Sequence, residues 1–110
     1  MEILRTGPLE IRPGEFVAVC NGRRLPLTAR ELALLTELAR RSGRIVSREE
    51  LFGAVWRRPF RREDRSVGVY VRKLRQKLER AEPDIEFIHT HFGFGYRLDS
   101  QLLHNEVTTA

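Results

Sequence analysis

An amphipathic pattern in the second half of the chain constrains the fold more than any other feature. Four large apolar residues recur there at offsets of four, three and four positions: Val67, Val71, Leu74 and Leu78. This spacing places them on one side of an α-helix, which must then pack against a core. The carboxylates of Glu63 and Asp64 suit the positive end of a helix dipole, and Pro83 cannot continue a helix. We therefore predict a helix from about Glu63 to about Glu82.

The opposite side of this predicted helix is basic. It presents six residues to solvent: Arg65, Val69, Arg72, Lys73, Gln76 and Arg80. In a DNA major groove, arginine and lysine can read guanine, glutamine can read adenine, and valine can pack on a thymine methyl group. Arg75 and Lys77 lie at the edges of this face, where they are better placed to hold phosphates than to read bases. The alternative interpretation is an ordinary solvated face with one stray surface valine.

The positive charge of the chain is concentrated around this helix. Residues 57–80 contain ten arginine or lysine residues and three carboxylates, so their net charge of +7 exceeds the +5 of the whole chain. Such a concentration favours a polyanionic partner, above all nucleic acid. A solvated basic helix is again the alternative.

Turn signals predict a small antiparallel sheet over residues 1–27. Apolar and polar residues alternate there, and Asn21-Gly22 suits a type I′ hairpin turn because both residues tolerate positive φ angles. The alternation predicts that Leu25 and Leu27 continue the last strand of this sheet.

Two capping boxes predict two helices between this sheet and the basic helix. Thr28 with Glu31 and Ser47 with Glu50 each have the spacing at which a hydroxyl and a carboxylate cap the start of a helix. Gly43 ends the first of these helices.

A glycine-containing hairpin closes the patterned part of the chain. The β-prone segments 85–90 and 96–98 bracket residues 91–95. No periodicity follows, so we expect one domain over residues 1–98 and a flexible tail over residues 99–110.

The sequence contains no constellation for catalysis, metal binding or membrane insertion. Its one cysteine, Cys20, lies in an apolar run, which excludes a four-thiolate zinc site and favours a core residue in a reducing, cytoplasmic setting. His89 and His91 have no carboxylate or thiolate beside them, so no metal site is expected. No serine–histidine motif or phosphate-binding loop indicates an enzyme or a cofactor, and no apolar run is long enough to span a membrane.

Five motifs in order along the chain carry a family resemblance. They are LTARE over residues 27–31, GRIVSREEL over 43–51, VW over 55–56, RSV over 65–67 with VRKLRQKL over 71–78, and GFGYR over 93–97. Together they resemble the effector domain of OmpR/PhoB-type response regulators over about residues 3–98. The resemblance implies an α+β fold, a winged helix-turn-helix with an N-terminal antiparallel sheet, three helices and a C-terminal β-hairpin wing.

The same resemblance implies sequence-specific binding to double-stranded DNA and regulation of transcription. The third helix would enter the major groove, and the wing would approach the minor groove. By motif position, the base-reading residues are Arg65, Ser66, Val69, Tyr70 and Lys73. The other candidates for DNA binding are Arg72, Arg75, Gln76, Thr90 and Phe92, of which Arg72, Arg75 and Thr90 would support the readers from the DNA backbone.

The resemblance also implies partners besides DNA. Members of this family usually follow a phosphorylatable receiver domain in a two-component system, and they bind direct repeats as homodimers. The loop before the third helix matches a segment that touches RNA polymerase in some members: Arg57, Arg58, Phe60, Arg61 and Arg62. A solvated basic loop that grazes phosphates is the alternative for this segment.

Two positions depart from the family pattern. Gly68 stands where an acidic residue is usual, and a mid-helix glycine costs about 0.5–1 kcal/mol relative to alanine. Phe92 stands where arginine is usual and cannot supply the charge that a narrow minor groove attracts. Phe92 could instead pack on sugars, on a neighbouring subunit or under the hairpin. These departures keep a second function open, a protein-interaction module that docks on RNA polymerase or another regulator without reading bases.

Overall fold

The computed structural model describes residues 1–103, in which four short strands precede three helices and a two-stranded hairpin. The strands are β1 (Leu4–Thr6), β2 (Leu9–Arg12), β3 (Val17–Cys20), β4 (Arg23–Arg24), β5 (Ile85–His91) and β6 (Gly95–Leu102). The helices are α1 (Ala29–Arg40), α2 (Arg48–Trp56) and α3 (Ser66–Ala81). The predicted α+β order of sheet, three helices and hairpin is confirmed.

The N-terminal sheet is antiparallel, with its strands in the order β1-β2-β3-β4. Asn21 and Gly22 adopt positive φ angles of 54° and 78°, as the predicted hairpin turn requires. The return strand is shorter than predicted, because β4 ends before Leu25 and Leu27. Pro26 lies between these leucines, and the chain turns there as the N–H of Leu27 donates to the carbonyl of Leu25.

Side-chain caps begin the first two helices. The Thr28 hydroxyl accepts the N–H of Glu31, whose carboxylate accepts the N–H of Thr28, so the first capping box is confirmed. At α2, the Ser47 hydroxyl accepts the N–H of Glu50 at 3.0 Å. The Glu50 carboxylate is instead held by two guanidinium groups of the α1–α2 connection. The prediction of a second complete capping box is therefore wrong in its carboxylate half.

Helix α3 begins later than predicted. It starts at Ser66 rather than at Glu63, because the chain first makes a turn in which the N–H of Asp64 donates to the carbonyl of Arg61. The Asp64 carboxylate then accepts the N–H of Ser66 at 2.8 Å. The acidic residue does stabilise the start of the helix, but from a position outside it.

The C-terminal hairpin is longer than predicted. Strand β6 runs to Leu102, which pairs with Ile85 of β5, so residues 99–102, which were expected to form a flexible tail, continue the hairpin. Residues 104–110 of the expected tail lie outside the described residues. An isolated bridge between Val46 and Tyr96 docks the hairpin on the segment before α2.

One hydrophobic core joins these elements. The sheet, each of the three helices and the hairpin contribute fully buried members, among them Leu9, Leu34, Phe52, Leu74 and Leu98. Cys20 belongs to this core, as predicted, and burial raises the pKa of its thiol, with a further contribution from Glu82. None of the helices within residues 1–103 is long and apolar enough to cross a membrane.

Candidate nucleic-acid interface

The outward face of α3 carries the residues that the helical spacing predicts there. All six are exposed to solvent: Arg65, Val69, Arg72, Lys73, Gln76 and Arg80. The seam on the opposite side, from Val67 to Leu78, is at most 3% exposed. Helix α3 therefore offers solvent a face that combines cations, an amide and one apolar side chain.

The cations on this face differ from others in the molecule because carboxylates do not neutralise them. Elsewhere, several guanidinium groups form ion pairs, as in Arg40–Glu2, Arg44–Glu50 and Arg97–Asp99. Within residues 1–103, none of the four cations on the outward face forms an ion pair: Arg65, Arg72, Lys73 and Arg80. Their uncompensated field attracts polyanions.

Two of the predicted base readers are only partly open to a ligand. Ser66 is half-buried at the start of α3, and Tyr70 is half-buried in an edge-on contact with Trp56, with the ring centroids 5.6 Å apart. The ammonium group of Lys73 lies 4.9 Å from the Tyr70 ring centroid. Tyr70 thus supports Lys73, which lies further out.

Arg75 and Thr90 bind each other instead of standing free beside α3. The Arg75 guanidinium donates to the carbonyl of Ile88 through Nε at 3.1 Å and Nη2 at 2.9 Å. Nη2 also donates to the Thr90 hydroxyl. These bonds fasten α3 to β5 and give both residues a positioning role within the protein, while their expected contact with the DNA backbone stays a prediction.

Lys77 is also occupied inside the protein, which contradicts its expected position for phosphate binding. Its ammonium group lies 2.6 Å from the Glu31 carboxylate and donates to the carbonyl of Pro26 at 2.8 Å. The start of α1 covers this edge of α3, so Lys77 cannot reach a ligand without breaking a buried ion pair.

The loop before α3 divides into inward and outward residues. Phe60 is half-buried with its ring centroid 5.4 Å from that of Phe52, so it packs inward, and its expected contact with RNA polymerase stays a prediction. The Arg58 guanidinium lies 4.8 Å from the Phe52 ring centroid and 3.6 Å from the Asp64 carboxylate. The exposed and unpaired cations of this loop, among the residues described, are Arg57, Arg61 and Arg62.

The tip of the hairpin exposes two phenyl rings. Phe92 is 88% exposed and Phe94 is 73% exposed, so the interpretation that Phe92 packs under the hairpin is wrong. Phe94 is not among the predicted site residues, although the Phe-Gly-Phe-Gly repeat over residues 92–95 places it beside Phe92 in the turn.

Comparison with known proteins assigns this arrangement to a family. The sequence model described as "Transcriptional regulatory protein, C terminal" matches residues 22–98. The chain belongs to this family, the OmpR/PhoB-type effector domains. The resemblance carried by the five sequence motifs is thereby confirmed.

Curated relatives of this OmpR/PhoB-type domain are transcriptional regulators. The transcriptional regulatory protein AfsQ1 of Streptomyces coelicolor is 40% identical over 93 residues, which cover 84% of this chain and 41% of AfsQ1. The alkaline phosphatase synthesis transcriptional regulatory protein PhoP of Bacillus subtilis is 37% identical over 93 residues, which cover 84% of this chain and 39% of PhoP. The chain thus spans about two fifths of the length of these relatives.

Solved structures of DNA-binding domains share the fold. The DNA-binding domain of CpxR from Escherichia coli matches with a TM-score of 0.82 and 31% identity, over 91% of this chain and 98% of that domain. The Klebsiella pneumoniae RstA DNA-binding domain in complex with the RstA box matches with a TM-score of 0.80 and 27% identity, over 90% of this chain and 98% of that domain. The predicted winged helix-turn-helix is confirmed, with β5–β6 as its wing.

Gly68 of this OmpR/PhoB-type domain lies in the first turns of α3 without the positive φ that favours glycine. A Cβ at this position would lie 3.7 Å from the Tyr96 hydroxyl, which is ordinary van der Waals contact. We expect Gly68→Ala to raise the free energy of unfolding by about 0.5–1 kcal/mol, measured by urea denaturation. Reduced stability would contradict the clash-free contact expected beside Tyr96, whereas a stable variant that no longer binds DNA would indicate close approach of the DNA backbone.

His89 is a buried titratable residue in the wing. It is 8% exposed, its Nδ1 lies 3.5 Å from the Glu86 carboxylate, and its Nε2 has no hydrogen-bond partner within the described chain. Burial lowers the pKa of His89; Arg97 and His91 also lower it, while Glu86 and Asp99 act in the opposite direction. Among residues 1–103, no group of three histidine, cysteine or carboxylate side chains is arranged to hold a metal ion.

The lowered pKa of His89 predicts that the domain loses stability in mild acid. Because the unfolded chain takes up this proton more readily, the contribution is fully present above the unfolded pKa and is lost as the pH falls through about 6.5. One proton limits the slope to about 1.4 kcal/mol per pH unit. Urea denaturation between pH 7.5 and 5.5 measures how the free energy of unfolding depends on pH. The variant His89→Leu is expected to show a weaker dependence. An unchanged slope in that variant would assign the pH dependence to another group.

Proposed function

We propose that this domain binds a specific sequence of double-stranded DNA and thereby regulates transcription, as the output domain of a two-component response regulator. The observation that carries this proposal is the outward face of α3, whose four cations form no ion pair within residues 1–103. A DNA-bound relative, the RstA domain with its box, supports the same use of the fold. The proposed activity is binding without catalysis, and it needs no cofactor.

The geometry of α3 assigns different roles to its exposed residues. Arg65, Val69 and Lys73 project outward and would read base edges in the major groove, with Gln76 reading adenine further along. Arg72 would hold a phosphate. Ser66 and Tyr70, which are half-buried in the first two turns of α3, would orient the side chains that read the bases.

The proposed partners follow from the family and from the exposed loop. Because the chain spans about two fifths of its curated relatives, we propose that a receiver domain accompanies it in the whole protein. Tandem homodimers would bind direct repeats about one helical turn apart. Arg57 and Arg61 would contact RNA polymerase, since they are exposed and lack carboxylate partners among the described residues, whereas Arg62 lines a cleft beside Phe92 and Phe94. A protein with these partners works in the cytoplasm.

Selection of bound duplexes from a random DNA library, followed by anisotropy titrations, tests the proposal. For the wild type we expect a log–log salt slope on the order of −5 to −7. Lys73→Ala should weaken binding to the selected site by about 1–3 kcal/mol and relax the choice of particular bases. Arg72→Ala should weaken binding to all sequences alike and make the slope shallower by about 1.

Arg5→Ala is the matched control for these variants. It also removes one cation, but Arg5 lies in β1 and its guanidinium is paired with Glu10 at 3.1 Å. Its affinity and base preference should equal those of the wild type. A flat salt slope, or equal affinity for random and selected duplexes, would contradict sequence-specific binding. Recruitment to DNA only when RNA polymerase is added would favour the protein-interaction module instead.

A further inference from the structure

The wing tip, residues 91–95, ends in two phenyl rings that the fold does not cover. Phe92 and Phe94 are 88% and 73% exposed, whereas Phe87 in the same hairpin is buried. Rings this exposed contribute little to folding, because burial is what stabilises an apolar side chain. Two such rings lining one cleft indicate a binding surface.

Backbone hydrogen bonds order the turn that carries these rings. The N–H of Phe94 donates to the carbonyl of His91 at 2.8 Å and closes the turn. Behind the turn, Val46 and Tyr96 exchange backbone hydrogen bonds of 2.7 and 2.9 Å. Because the backbone of the tip is already ordered, burial of a ring in a ligand costs side-chain freedom alone.

The surroundings of the tip suit a polyanion. Arg48 and Arg62 line a cleft beside the two rings, together with one carboxylate from Glu49. Neither arginine forms an ion pair in the described part of the chain; Arg48 donates through Nη1 to the Asp64 carbonyl at 3.2 Å, which leaves its charge uncompensated. Residues 90–96 contain no arginine, lysine, aspartate or glutamate, so the tip offers apolar contact while its neighbours can hold phosphates.

We propose that Phe92 inserts as an apolar wedge between two base pairs in the minor groove, while Phe94 packs against the adjoining sugars. This inference rests on the proposed binding of DNA by α3. Arg75 of α3 donates to the Ile88 carbonyl of β5 and thereby fastens the wing to that helix. Inserted apolar side chains partly unstack a base step and bend the duplex by about 20–90° toward the major groove.

Such a wedge selects DNA by its deformability instead of by hydrogen bonds. Pyrimidine–purine steps such as TA and CA/TG unstack most readily. We expect one of them about five base pairs, half a helical turn, from the centre of the α3 site. A second copy of the chain fits the tip less well, since two wings meeting there would bring the like charges of Arg48 and Arg62 together.

A doubly labelled duplex tests the wedge. The selected site carries a dye pair at its ends, which reports bending, and 2-aminopurine at the flexible step, which reports unstacking. The wild type should shorten the end-to-end distance and raise the 2-aminopurine fluorescence. Phe92→Ala should bind about tenfold more weakly and lose both signals, with an unchanged salt slope because no charge is removed. Phe94→Ala should have a smaller effect on affinity and keep the bend.

Phe16→Ala is the matched control, because Phe16 is 78% exposed but lies outside the wing, before β3. It should behave as the wild type, and thermal unfolding checks that all variants are folded. If the wild type binds the selected site without bending it, the wedge is wrong and the proposed function stands. If Phe92→Ala alters sedimentation in the absence of DNA but leaves bending intact, the rings form an interface between copies and the wedge is wrong. If the wild type binds no duplex, both proposals fail.

Discussion

Replacing Gly95 with alanine is expected to destabilise the domain more than any other single substitution in the wing. Gly95 has a φ of 142°, and an added Cβ would lie 2.0 Å from the Val46 carbonyl oxygen and 2.9 Å from the Ser47 Cα. Backbone on the facing segment cannot move aside as a flexible side chain can, so the bridge between Val46 and Tyr96 must open. We expect a loss of roughly 3–5 kcal/mol from overpacking and backbone strain together. The melting temperature should fall by about 15 °C or more.

Gly93→Ala separates the clash from the strain of a positive φ. Gly93 has a φ of 84°, but a Cβ there meets no atom within 4 Å. This variant should lose only about 1–2 kcal/mol. Thermal unfolding of both variants, followed by circular dichroism, measures the difference. Equal melting temperatures would show that the approach of Gly95 to Val46 does not limit stability.

The second large effect is expected at the buried ion pair between Lys77 and Glu31. Glu31 is 2% exposed, and within the described chain its carboxylate is held by the Lys77 ammonium at 2.6 Å and by the N–H of Thr28 at 2.8 Å. Lys77→Met removes the ammonium, keeps the apolar stem and leaves a buried carboxylate without its counter-charge. We expect this variant to lose about 3–5 kcal/mol at pH 7, measured by urea denaturation. Glu31→Gln in the same chain should recover much of the loss.

The pH dependence of this loss is an independent check. Burial on its own raises the pKa of Glu31, but the bonds from Lys77 and Thr28 outweigh it and leave the pKa below its ordinary value. In the wild type, the ion pair therefore stabilises fully above about pH 4.5, and its contribution is lost as the pH falls further. The difference between wild type and Lys77→Met should shrink in acid, because the variant's carboxyl group can then protonate.

Arg44→Met serves as the control for losing a basic partner. Arg44 pairs with Glu50 at 2.9 Å, but the two side chains are 56% and 39% exposed. Its loss should cost no more than about 1 kcal/mol, since water replaces an exposed ion pair. Equal losses for Arg44→Met and Lys77→Met would contradict the importance of burial at Glu31.

The sequence alone predicted the features that depend on interactions between residues close together along the chain. The Thr28 cap, the Asn21-Gly22 turn and the buried seam of α3 each depend on residues within a few positions of one another. The exposed face of α3 could be predicted from the same seam, because the helical period places the remaining residues on the side opposite the buried ones. Family motifs then identified the predicted hairpin as a wing and the expected polyanionic partner as double-stranded DNA.

The sequence alone did not predict which residues several large side chains contact. Lys77 and Arg75 were placed among phosphate contacts by helical geometry, yet Lys77 binds Glu31, 46 positions away, and Arg75 binds Ile88, 13 positions away. Phe60 and Phe92 are equally apolar, but packing on Phe52 buries the first while the hairpin carries the second into solvent. Periodicity specifies the direction in which a side chain leaves its helix or strand, whereas its contacts depend on which distant segment folding brings alongside.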